Sequence, residues 1–339
     1  MSNKKSAGQK KKMADIARLA GVSESTVSRA LSGSSLVSAA TRERIQTLAQ
    51  EQNYSINKQA QNLRLQSSRT VSVIIPIDHE PKQHISDPFF LELLGAIADA
   101  ITEADYDLLL SRVHTNDWRK RVARHSYVDG LVIIGQSVLH EEINEFALHN
   151  PIPLVVWGHQ FPHQTYISIG SDNRLGGYQA AEHLLGLGRR RIVFLGDREL
   201  PEVASRYQGY CQAHQAAGIS CDPQLAHTCS FTPESAAAAV SNLLSSGQPF
   251  DSIFAASDVL ASIAIKHLHA ANLRIPQDVA VVGFDNIAIA RHVSPALTTV
   301  SQNITQGGHL IVDNLFQQIR GETTHSELIA PHLILRDTA

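Results

Sequence analysis

The chain has 339 residues, of which 43% are hydrophobic and 18% charged. This length and composition are typical of a protein with two or more globular domains. No apolar run approaches the roughly 20 residues of a membrane span. The lysine-rich N-terminus also lacks the apolar core of a secretory signal. We therefore expect a cytoplasmic protein that does not associate with a membrane.

Cysteine and histidine patterns give no support for a metal or a disulfide framework. Cys211, Cys221 and Cys229 form no CxxC pair, so we expect reduced thiols. None of the 17 histidines lies in an HExxH spacing, and the loop pair His159 and His163 is a weak candidate, because spacing alone rarely makes a metal site. No GxGxxG follows the first strand and no GxxxxGK[ST] occurs. We predict neither metal nor cofactor.

The net charge of −3 conceals a strong asymmetry along the chain. Residues 1–70 contain twelve Lys and Arg but only four Asp and Glu, a formal charge of +8, so the remainder carries −11. A run such as Lys10 to Lys12 is usually just a solvated stretch, but other basic residues are spread over the helical patterns that follow. A basic module on an acidic body is typical of a protein that binds a phosphate backbone at one end.

Two short helical patterns lie on either side of Gly21. In the first, Ile16, Leu19 and Ala20 form an apolar stripe. Gly21 can adopt the positive φ of a tight turn, and Ser23 is a good N-cap for the second helix. The inner positions of the second helix are Val27, Ala30 and Leu31. Its outer positions are all polar, namely Glu24, Ser25, Thr26, Ser28 and Arg29.

A helix, a tight turn and a helix with a polar outer face form a helix-turn-helix. Such a face can lie in the DNA major groove and bond base edges and phosphates. The same helix pair also occurs as an ordinary corner in globular domains, so the pattern alone leaves both interpretations open. A third helix, capped by Ser38 and extending from about residue 39 to 52, completes a small core through Ile45, Leu48 and Ala49.

Residues 54–64 form a helical pattern of only about two turns. A helix of this length is marginal in isolation, because helices shorter than about 12–15 residues rarely persist in water. Leu63 is an isolated apolar residue among polar neighbours, so we expect its partner to lie outside the segment. Residues 65–70 are predicted to be a linker.

From residue 71 the pattern changes to alternating strands and helices. The predicted strands are 71–76, 107–111, 130–134, 153–157, 191–195, 225–229, 252–255 and 279–282. Their near-continuous Val, Ile and Leu runs indicate parallel sheets covered by helices on both faces. So many units fit two doubly wound lobes with a cleft between them better than one sheet. Ligands bind beyond the carboxyl ends of such strands, where Asp78, Trp157, Asp258 and Asp285 lie.

These segments together resemble the lactose-repressor/galactose-repressor (LacI/GalR) family. The resemblance covers nearly the whole chain and includes MADIARLAGVSESTVSRAL, VSAATRERIQTLAQEQNYSINKQAQNLR, SDPFFLELLGAI, SIGSDNRLGG, FDSIFAASDVLA and IPQDVAVVGFDNIAIARHVSPALTTVSQ. It implies an all-α helix-turn-helix headpiece joined to an α/β sensor of two doubly wound, periplasmic-binding-protein-like lobes. We expect a disordered basic tail at 1–11, the headpiece at 12–56, a hinge helix and linker at 57–69, and an effector-binding and dimerisation domain at 70–339.

The resemblance also implies positions that bind DNA. Ser23, Glu24, Ser25, Thr26, Ser28 and Arg29 correspond to the recognition helix, where Glu24 and Ser25 match positions that vary among members to set the operator. Asn57, Ala60 and Leu63 correspond to the hinge helix. Leu63 matches the apolar wedge that enters the minor groove at the operator centre, which accounts for its isolation.

Effector-pocket positions are implied at Phe89, Phe90, Asp172, Arg206, Asp258 and Asp285, and the strand-end residue Trp157 is a further candidate. Carboxylates and an arginine suit a polyol, because they form charge-assisted hydrogen bonds with hydroxyls, and aromatic faces cover C–H surfaces. Two of these positions have plain structural alternatives. Asp172 is also placed to cap the following helix, and Phe89 is also consistent with an ordinary core residue.

Three features depart from the family pattern. One is the compact helix after the strand at 107–111, with Trp118, Arg119, Lys120 and Arg121 in unusual density. Lys12 stands where many members have a Thr or Ser N-cap, so that cap is expected to be lost or shifted. Trp157, Gly158 and His159 stand where sugar-sensing members often carry an aspartate, which leaves the identity of the sugar open. No leucine heptad follows Asp337, so we expect dimers and not tetramers.

The leading hypothesis is a DNA-binding repressor of carbohydrate-utilisation genes, homodimeric on a palindromic operator and controlled by a small sugar-like effector. A sugar-binding transport protein is a second hypothesis, which the basic headpiece disfavours. An α/β enzyme with Asp258 and Asp285 as acid and base is a third. No nucleophile–base pair or metal set accompanies those two acids, so we predict no enzymatic activity.

Overall fold

The structure is a computed structural model that describes residues 12–32, 34–52, 54, 67–77, 85–114, 118–124, 127–135 and 139–339. The chain divides into two compact units, Met1–Ser68 and Arg69–Ala339. Among the described residues, no helix is long and apolar enough to cross a membrane.

The first unit is a small three-helix core. Its helices are α1 (Met13–Ala20), α2 (Glu24–Leu31) and α3 (Ala39–Glu51). The buried apolar side chains are Ile16, Ala17, Ala20, Val27, Ala30, Val37, Ile45 and Ala49. Leu19 was expected in this core but is 53% exposed, because the buried stripe of α1 is centred between Ile16 and Ala17 and leaves Leu19 outside it.

Backbone capping defines the ends of α1. Gly21 has φ +64°, which ends the helix in a left-handed turn as its sequence position predicts. At the other end Lys12 supplies no side-chain cap. Instead, the Lys12 backbone N–H donates to the Asp15 carboxylate at 3.0 Å. Asp15, in the first turn of α1, therefore provides a capping hydrogen bond where the usual Thr or Ser cap is missing.

The second unit is formed by two lobes. The first lobe contains β1 (Thr70–Ile77), α4 (Pro88–Glu103), β2 (Asp107–His114), α5 (Trp118–Arg124), β3 (Gly130–Ile134), α6 (His140–His149), β4 (Leu154–Trp157) and β5 (Ile167–Ser171). The second lobe contains α7 (Asn173–Gly186), β6 (Ile192–Leu195), α8 (Pro201–Ala216), β7 (Ala226–His227), α9 (Pro233–Ser245), β8 (Ser252–Ala255), α10 (Asp258–Ala270), β9 (Ala280–Asp285), α11 (Ile289–His292) and β10 (Thr298–Ser301). The chain then adds α12 (Ile304–Ile319) and β11 (Glu327–Ile329) to the first lobe and β12 (His332–Ile334) to the second.

Each lobe has a six-stranded sheet at its centre. The strand order is β11-β5-β4-β3-β1-β2 in the first lobe and β12-β10-β9-β8-β6-β7 in the second. Pairing is parallel throughout except that β12 runs antiparallel to β10, a departure from the all-parallel expectation. In each sheet, successive strands are added first on one side of the starting strand and then on the other. This change of side places a crevice beyond the carboxyl ends of the central strands.

The chain passes between the lobes three times. It leaves the first lobe at Asp172, returns at residues 302–303 and leaves again at residues 330–331. Hydrogen bonds tie these passages together, because the Asn303 side chain donates to the Ala330 carbonyl at 3.0 Å and the Asp172 N–H donates to the Ile329 carbonyl at 3.0 Å. The lobes are therefore joined by three connecting segments of the chain, which lie together beside the crevice.

Four strands and one long helix were not predicted from the sequence: β5, β10, β11, β12 and α12. β5 and β10 are buried but rich in Ser and Thr, including Ser168, Ser171, Thr298 and Thr299. They therefore lack the continuous aliphatic run by which the other buried strands are predicted. The aliphatic runs at β1, β3, β4, β6 and β8 are all buried strands, as expected.

The expectation of three reduced cysteines is wrong for two of them. Cys211 and Cys221 form a disulfide with a Cα–Cα distance of 5.3 Å, and Cys229 is free and buried. The chain turns back after α8 at Gly218, whose φ is +72°, and this reversal brings Cys221 beside Cys211. A ten-residue separation across a helix end is not a spacing that CxxC counting detects.

Candidate functional site

The outer face of α2 is polar and accessible. Glu24, Ser25 and Arg29 are exposed, and Thr26 and Ser28 are half-buried. The Ser23 hydroxyl accepts the Thr26 N–H at 3.2 Å and lies 2.8 Å from the Ser25 hydroxyl oxygen. Ser23 is thus the N-cap of α2, and the residues that follow it form a face that is free of the headpiece core.

Two basic side chains of the first unit support its own fold. Arg44 donates to the Ala20 carbonyl at 2.7 Å, at the end of α1. Arg42 donates to the carbonyls of Ser34 at 2.8 Å and Val37 at 3.2 Å. These guanidinium groups pair with carbonyls at a helix end and in a loop, so they fix the helices that present α2.

Arg206 forms the centre of a polar cluster at the carboxyl ends of the second lobe's strands. It is 5% exposed and lies on the buried side of α8. Its Nε donates to the Asn173 side chain at 2.8 Å, its Nη1 donates to the Ala256 carbonyl, and its guanidinium lies 3.8 Å from the centre of the Phe284 ring. These contacts fix a buried positive charge beside the crevice.

Asp285 ends β9 beside this arginine. Its φ is +116°, and its Oδ1 accepts the Gln302 amide at 2.6 Å. Burial raises the pKa of the Asp285 carboxyl to about 7, although the charge of Arg206 and the Gln302 hydrogen bond both act to lower it. A carboxyl that titrates near neutrality, beside a fixed arginine, is suited to exchange hydrogen bonds with hydroxyl groups.

Asp258 differs from Asp285 although both were predicted to bind effector. Its side chain is fully buried, one oxygen accepts the Ile287 N–H at 2.9 Å, and the other accepts the Thr299 hydroxyl. Burial and the nearby charge of Asp285 raise the pKa of Asp258 well above its usual value. Asp258 therefore fixes the segment after β9, and its effector role stays a prediction.

The first lobe contributes an aromatic group. The Phe89 ring lies 5.9 Å from the Phe90 ring and 6.2 Å from the Trp157 ring, measured between centres. Both phenylalanines are half-buried at the start of α4, whose N-cap Asp87 accepts the Phe89 N–H at 3.0 Å. Trp157 is 6% exposed and packs against the backbone of Gly307, so most of its ring belongs to the core of the lobe.

Asp172 is a helix cap. Its carboxylate accepts the Leu175 N–H at 2.9 Å at the start of α7, which is the structural alternative considered for it. The next residue, Asn173, is 5% exposed and contacts Arg206 directly. Asp172 lies at a passage between the lobes, so the capping role and the effector role remain compatible by position.

Comparison with known proteins decides between a regulator and the other classes. Residues 12–57 match the model of bacterial regulatory proteins of the lacI family, and residues 181–339 match a periplasmic binding protein-like domain. The transcriptional regulator CelR of Thermobifida fusca is 31% identical over 333 residues, covering 95% of this chain and 96% of CelR.

The chain belongs to the lacI family. As a member of this family it is a DNA-binding transcriptional regulator, and CelR, one of the relatives with which it aligns, is named as a transcriptional regulator too. The predicted family and two-lobed fold are confirmed.

Two solved structures align over almost the full chain. A CelR–cellobiose complex has a TM-score of 0.72 at 29% identity and covers 97% of this chain and 100% of its own. A lac repressor dimer bound to operator and the anti-inducer ONPF has a TM-score of 0.83 at 25% identity and covers 97% and 99%.

Three residues of the cleft in this lacI-family chain were missed from the sequence. Asn173 and Gln302 contact Arg206 and Asp285, respectively. The third, Glu202, lies one helical turn before Arg206, which places both on one face of α8. Burial and, after it, the charge of Glu202 raise the pKa of Tyr166, and Glu202 opposes the burial that lowers the pKa of His159. Both residues lie in the first lobe. The four-residue spacing between Glu202 and Arg206 is the sequence signal that could have placed Glu202 in the cleft.

Four predicted site residues lie outside the described residues. These are Asn57, Ala60 and Leu63 of the hinge and Asp78 after β1. Their roles stay predictions.

Exchanging Glu24 or Ser25 for other polar residues is expected to change which half-site the protein prefers. Both side chains are exposed on α2, so they can contact base edges without disturbing the core. Each base contact contributes about 1–3 kcal/mol of discrimination. Selection from a pool of half-site variants, compared with an exchange at exposed Gln46 on α3, measures the effect. Equal preferences in all proteins would show that α2 does not contact bases.

Asp285→Asn is expected to make stability less dependent on pH. An acid whose pKa is raised from 3.8 to about 7 in the folded state costs stability as the pH rises through that window. The wild type should therefore lose stability relative to the variant between pH 5 and 7, by at most roughly 1.4 kcal/mol per pH unit. Urea unfolding of both proteins at pH 5, 6, 7 and 8 measures this difference. Parallel curves would contradict a raised pKa at Asp285.

Proposed function

We propose that this regulator is a repressor whose operator binding is controlled by a small sugar or sugar derivative bound between its two lobes. The observation that carries the proposal is the buried guanidinium of Arg206, whose charge acts on the buried carboxyl of Asp285, at the carboxyl ends of the second lobe's strands. Hydroxyl groups both donate and accept hydrogen bonds, so a polyol can satisfy a carboxylate and a guanidinium together.

The opposite wall supports the same ligand class. The half-buried rings of Phe89 and Phe90 can cover the C–H face of a sugar ring while the second lobe bonds its hydroxyls. The CelR relative of known structure was solved with cellobiose. Glu202 adds a carboxylate from α8, which compensates for the aspartate that this chain lacks after β4. We place Trp157 mainly in the core and Asp258 behind the pocket.

We further propose that two copies bind a palindromic operator. The related lac repressor was solved as a dimer on its operator. Residues 57–69 would serve as hinge helix and linker, with Asn57 and Ala60 on the hinge helix and Leu63 of each copy inserted into the minor groove. We expect the protein to act in the cytoplasm, where its operator lies.

A sugar screen followed by an operator titration tests the proposal. Thermal unfolding is measured with neutral mono- and disaccharides, including cellobiose and ribose, and with their phosphates. A ligand at a hundred times its Kd stabilises the folded state by about 2.7 kcal/mol, which a melting curve resolves easily. An operator selected from random DNA is then titrated with the sugars that bind.

Release of the operator by a stabilising sugar is the expected result. Tighter operator binding with that sugar would make it a co-repressor effector instead of an inducer. Two results would overturn the proposal: no stabilisation by any sugar, or binding of sugars with no change in operator affinity. The second result would favour a sugar-binding protein, and turnover of the sugar would favour an enzyme.

A further inference from the structure

The segment from Asp285 to Ile289 joins the cleft to both lobes. Asp285 is the cleft carboxyl, and two residues later the Ile287 N–H donates to Asp258 inside the second lobe at 2.9 Å. The Ile287 side chain is fully buried, but it packs in the apolar cluster of the first lobe, together with residues of β1, α4 and α12. One short segment thus has its backbone fixed in one lobe and its side chain in the other.

Glu92 completes this connection from the first lobe. Its Oε1 accepts the Ala288 N–H at 2.7 Å, across 196 residues of sequence. Glu92 lies on α4. This helix packs closely on α12, because α12 has a glycine, Gly308, at the point where any side chain would clash with Ala96 of α4. Glu92 therefore moves with the first lobe, while Ala288 follows Asp285 by only three residues.

We propose that Glu92 is a coupling residue that makes the arrangement of the two lobes depend on the position of the Asp285 segment. This inference rests on the proposed binding of an effector at Asp285. Three residues span at most about 10 Å of chain, so a shift of Asp285 reaches Ala288 with little slack. A hydrogen bond to a carboxylate is charge-assisted and directional, so a small displacement of its donor weakens it.

Three full-length variants test the proposal. Glu92→Ala removes the acceptor, and Glu92→Gln keeps an acceptor oxygen without the charge. Asp99→Asn is the matched control, since Asp99 is exposed on the same helix, two turns further along. The first measurement is amide hydrogen exchange of a peptide covering residues 286–290 in protein without added sugar. We expect exchange about three- to tenfold faster in Glu92→Ala, an intermediate rate in Glu92→Gln and the wild-type rate in Asp99→Asn.

The second measurement is release of the operator by cellobiose as the probe. The cellobiose concentration for half-release should rise about three- to tenfold in Glu92→Ala and less in Glu92→Gln. Operator affinity without cellobiose should stay within about twofold of the wild type, because coupling and direct DNA binding are separate quantities. Loss of thermal stability without a change in half-release would indicate a purely structural contact and would overturn the proposal.

The two proposals fail in different ways. If wild-type protein does not respond to cellobiose, cellobiose is not its effector, and the half-release measurement uses the sugar that the screen identifies. If no sugar acts, the sugar assignment fails, and the exchange rates still decide whether Glu92 joins the lobes. If the wild type responds and Glu92→Ala exchanges at the wild-type rate, the coupling role is wrong and the sugar assignment stands. Faster exchange in Glu92→Ala with an intermediate rate in Glu92→Gln shows that Glu92 joins the lobes in either case. Coupling is supported only if the half-release concentration rises as well.

Discussion

Arg206→Ala is expected to retain operator binding and to lose its response to effector. Arg206 is buried at the cleft and fixed by Asn173, the Ala256 carbonyl and the Phe284 ring. A hydrogen bond to a charged group contributes about 1.5–3 kcal/mol, so losing the guanidinium weakens effector binding at least 10- to 100-fold. Anisotropy of a labelled operator, titrated with the sugar that the screen identifies, measures the response. Operator affinity without sugar should change less than about threefold.

The same substitution also lowers stability, and the controls must distinguish this effect from the loss of the effector response. It leaves the Asn173 and Ala256 oxygens without their donor, so the melting temperature should fall as well. Arg174→Ala removes a neighbouring but exposed arginine, bonded to Gln212, and should leave both stability and response near wild type. If Arg206→Ala does not fold, Asp285→Asn provides the same test with a side chain of nearly equal volume. An unchanged half-release concentration in either folded variant would remove that residue from the effector site.

Local sequence signals were sufficient for the headpiece. The Ser23 and Ser38 caps, the glycine turn and the inner positions of α2 and α3 appear where the pattern places them. Each of these signals acts within a few residues, so its outcome does not depend on the rest of the fold. Leu19 was misplaced because a single three-residue spacing defines the direction of a helical stripe only loosely.

The cleft shows what strand-end position cannot determine. Asp258 and Asp285 both follow buried strands, and the resemblance placed both in the pocket. The structure gives them different partners, because the Asp258 oxygens accept Ile287 and Thr299 donors from distant parts of the chain, whereas Asp285 accepts the Gln302 amide. Gln302 was missed for a similar reason, since its partner Asp285 is 17 residues away and on a neighbouring strand. Such roles depend on tertiary contacts, which local patterns do not contain.

Operator affinity is expected to fall by on the order of 10³-fold or more between 50 and 200 mM salt. Residues 1–70 carry a formal charge of +8, so a dimer offers twice that charge to the DNA. If it neutralises about 6–10 phosphates, the counterions released on binding produce a loss of this size. Titration of a labelled operator at four salt concentrations gives the slope of log Kd against log salt concentration.

Two arginine variants show which charges contact phosphate. Arg29 is exposed on α2, so Arg29→Gln should reduce the slope by about 2 for a dimer, one phosphate for each copy. Arg42 donates to the Ser34 and Val37 carbonyls, so Arg42→Gln should lower the melting temperature and leave the slope close to wild type. A slope near zero in the wild type would contradict phosphate binding by the headpiece. Equal slopes in wild type and Arg29→Gln would instead place the phosphate contacts on other basic residues of the first unit.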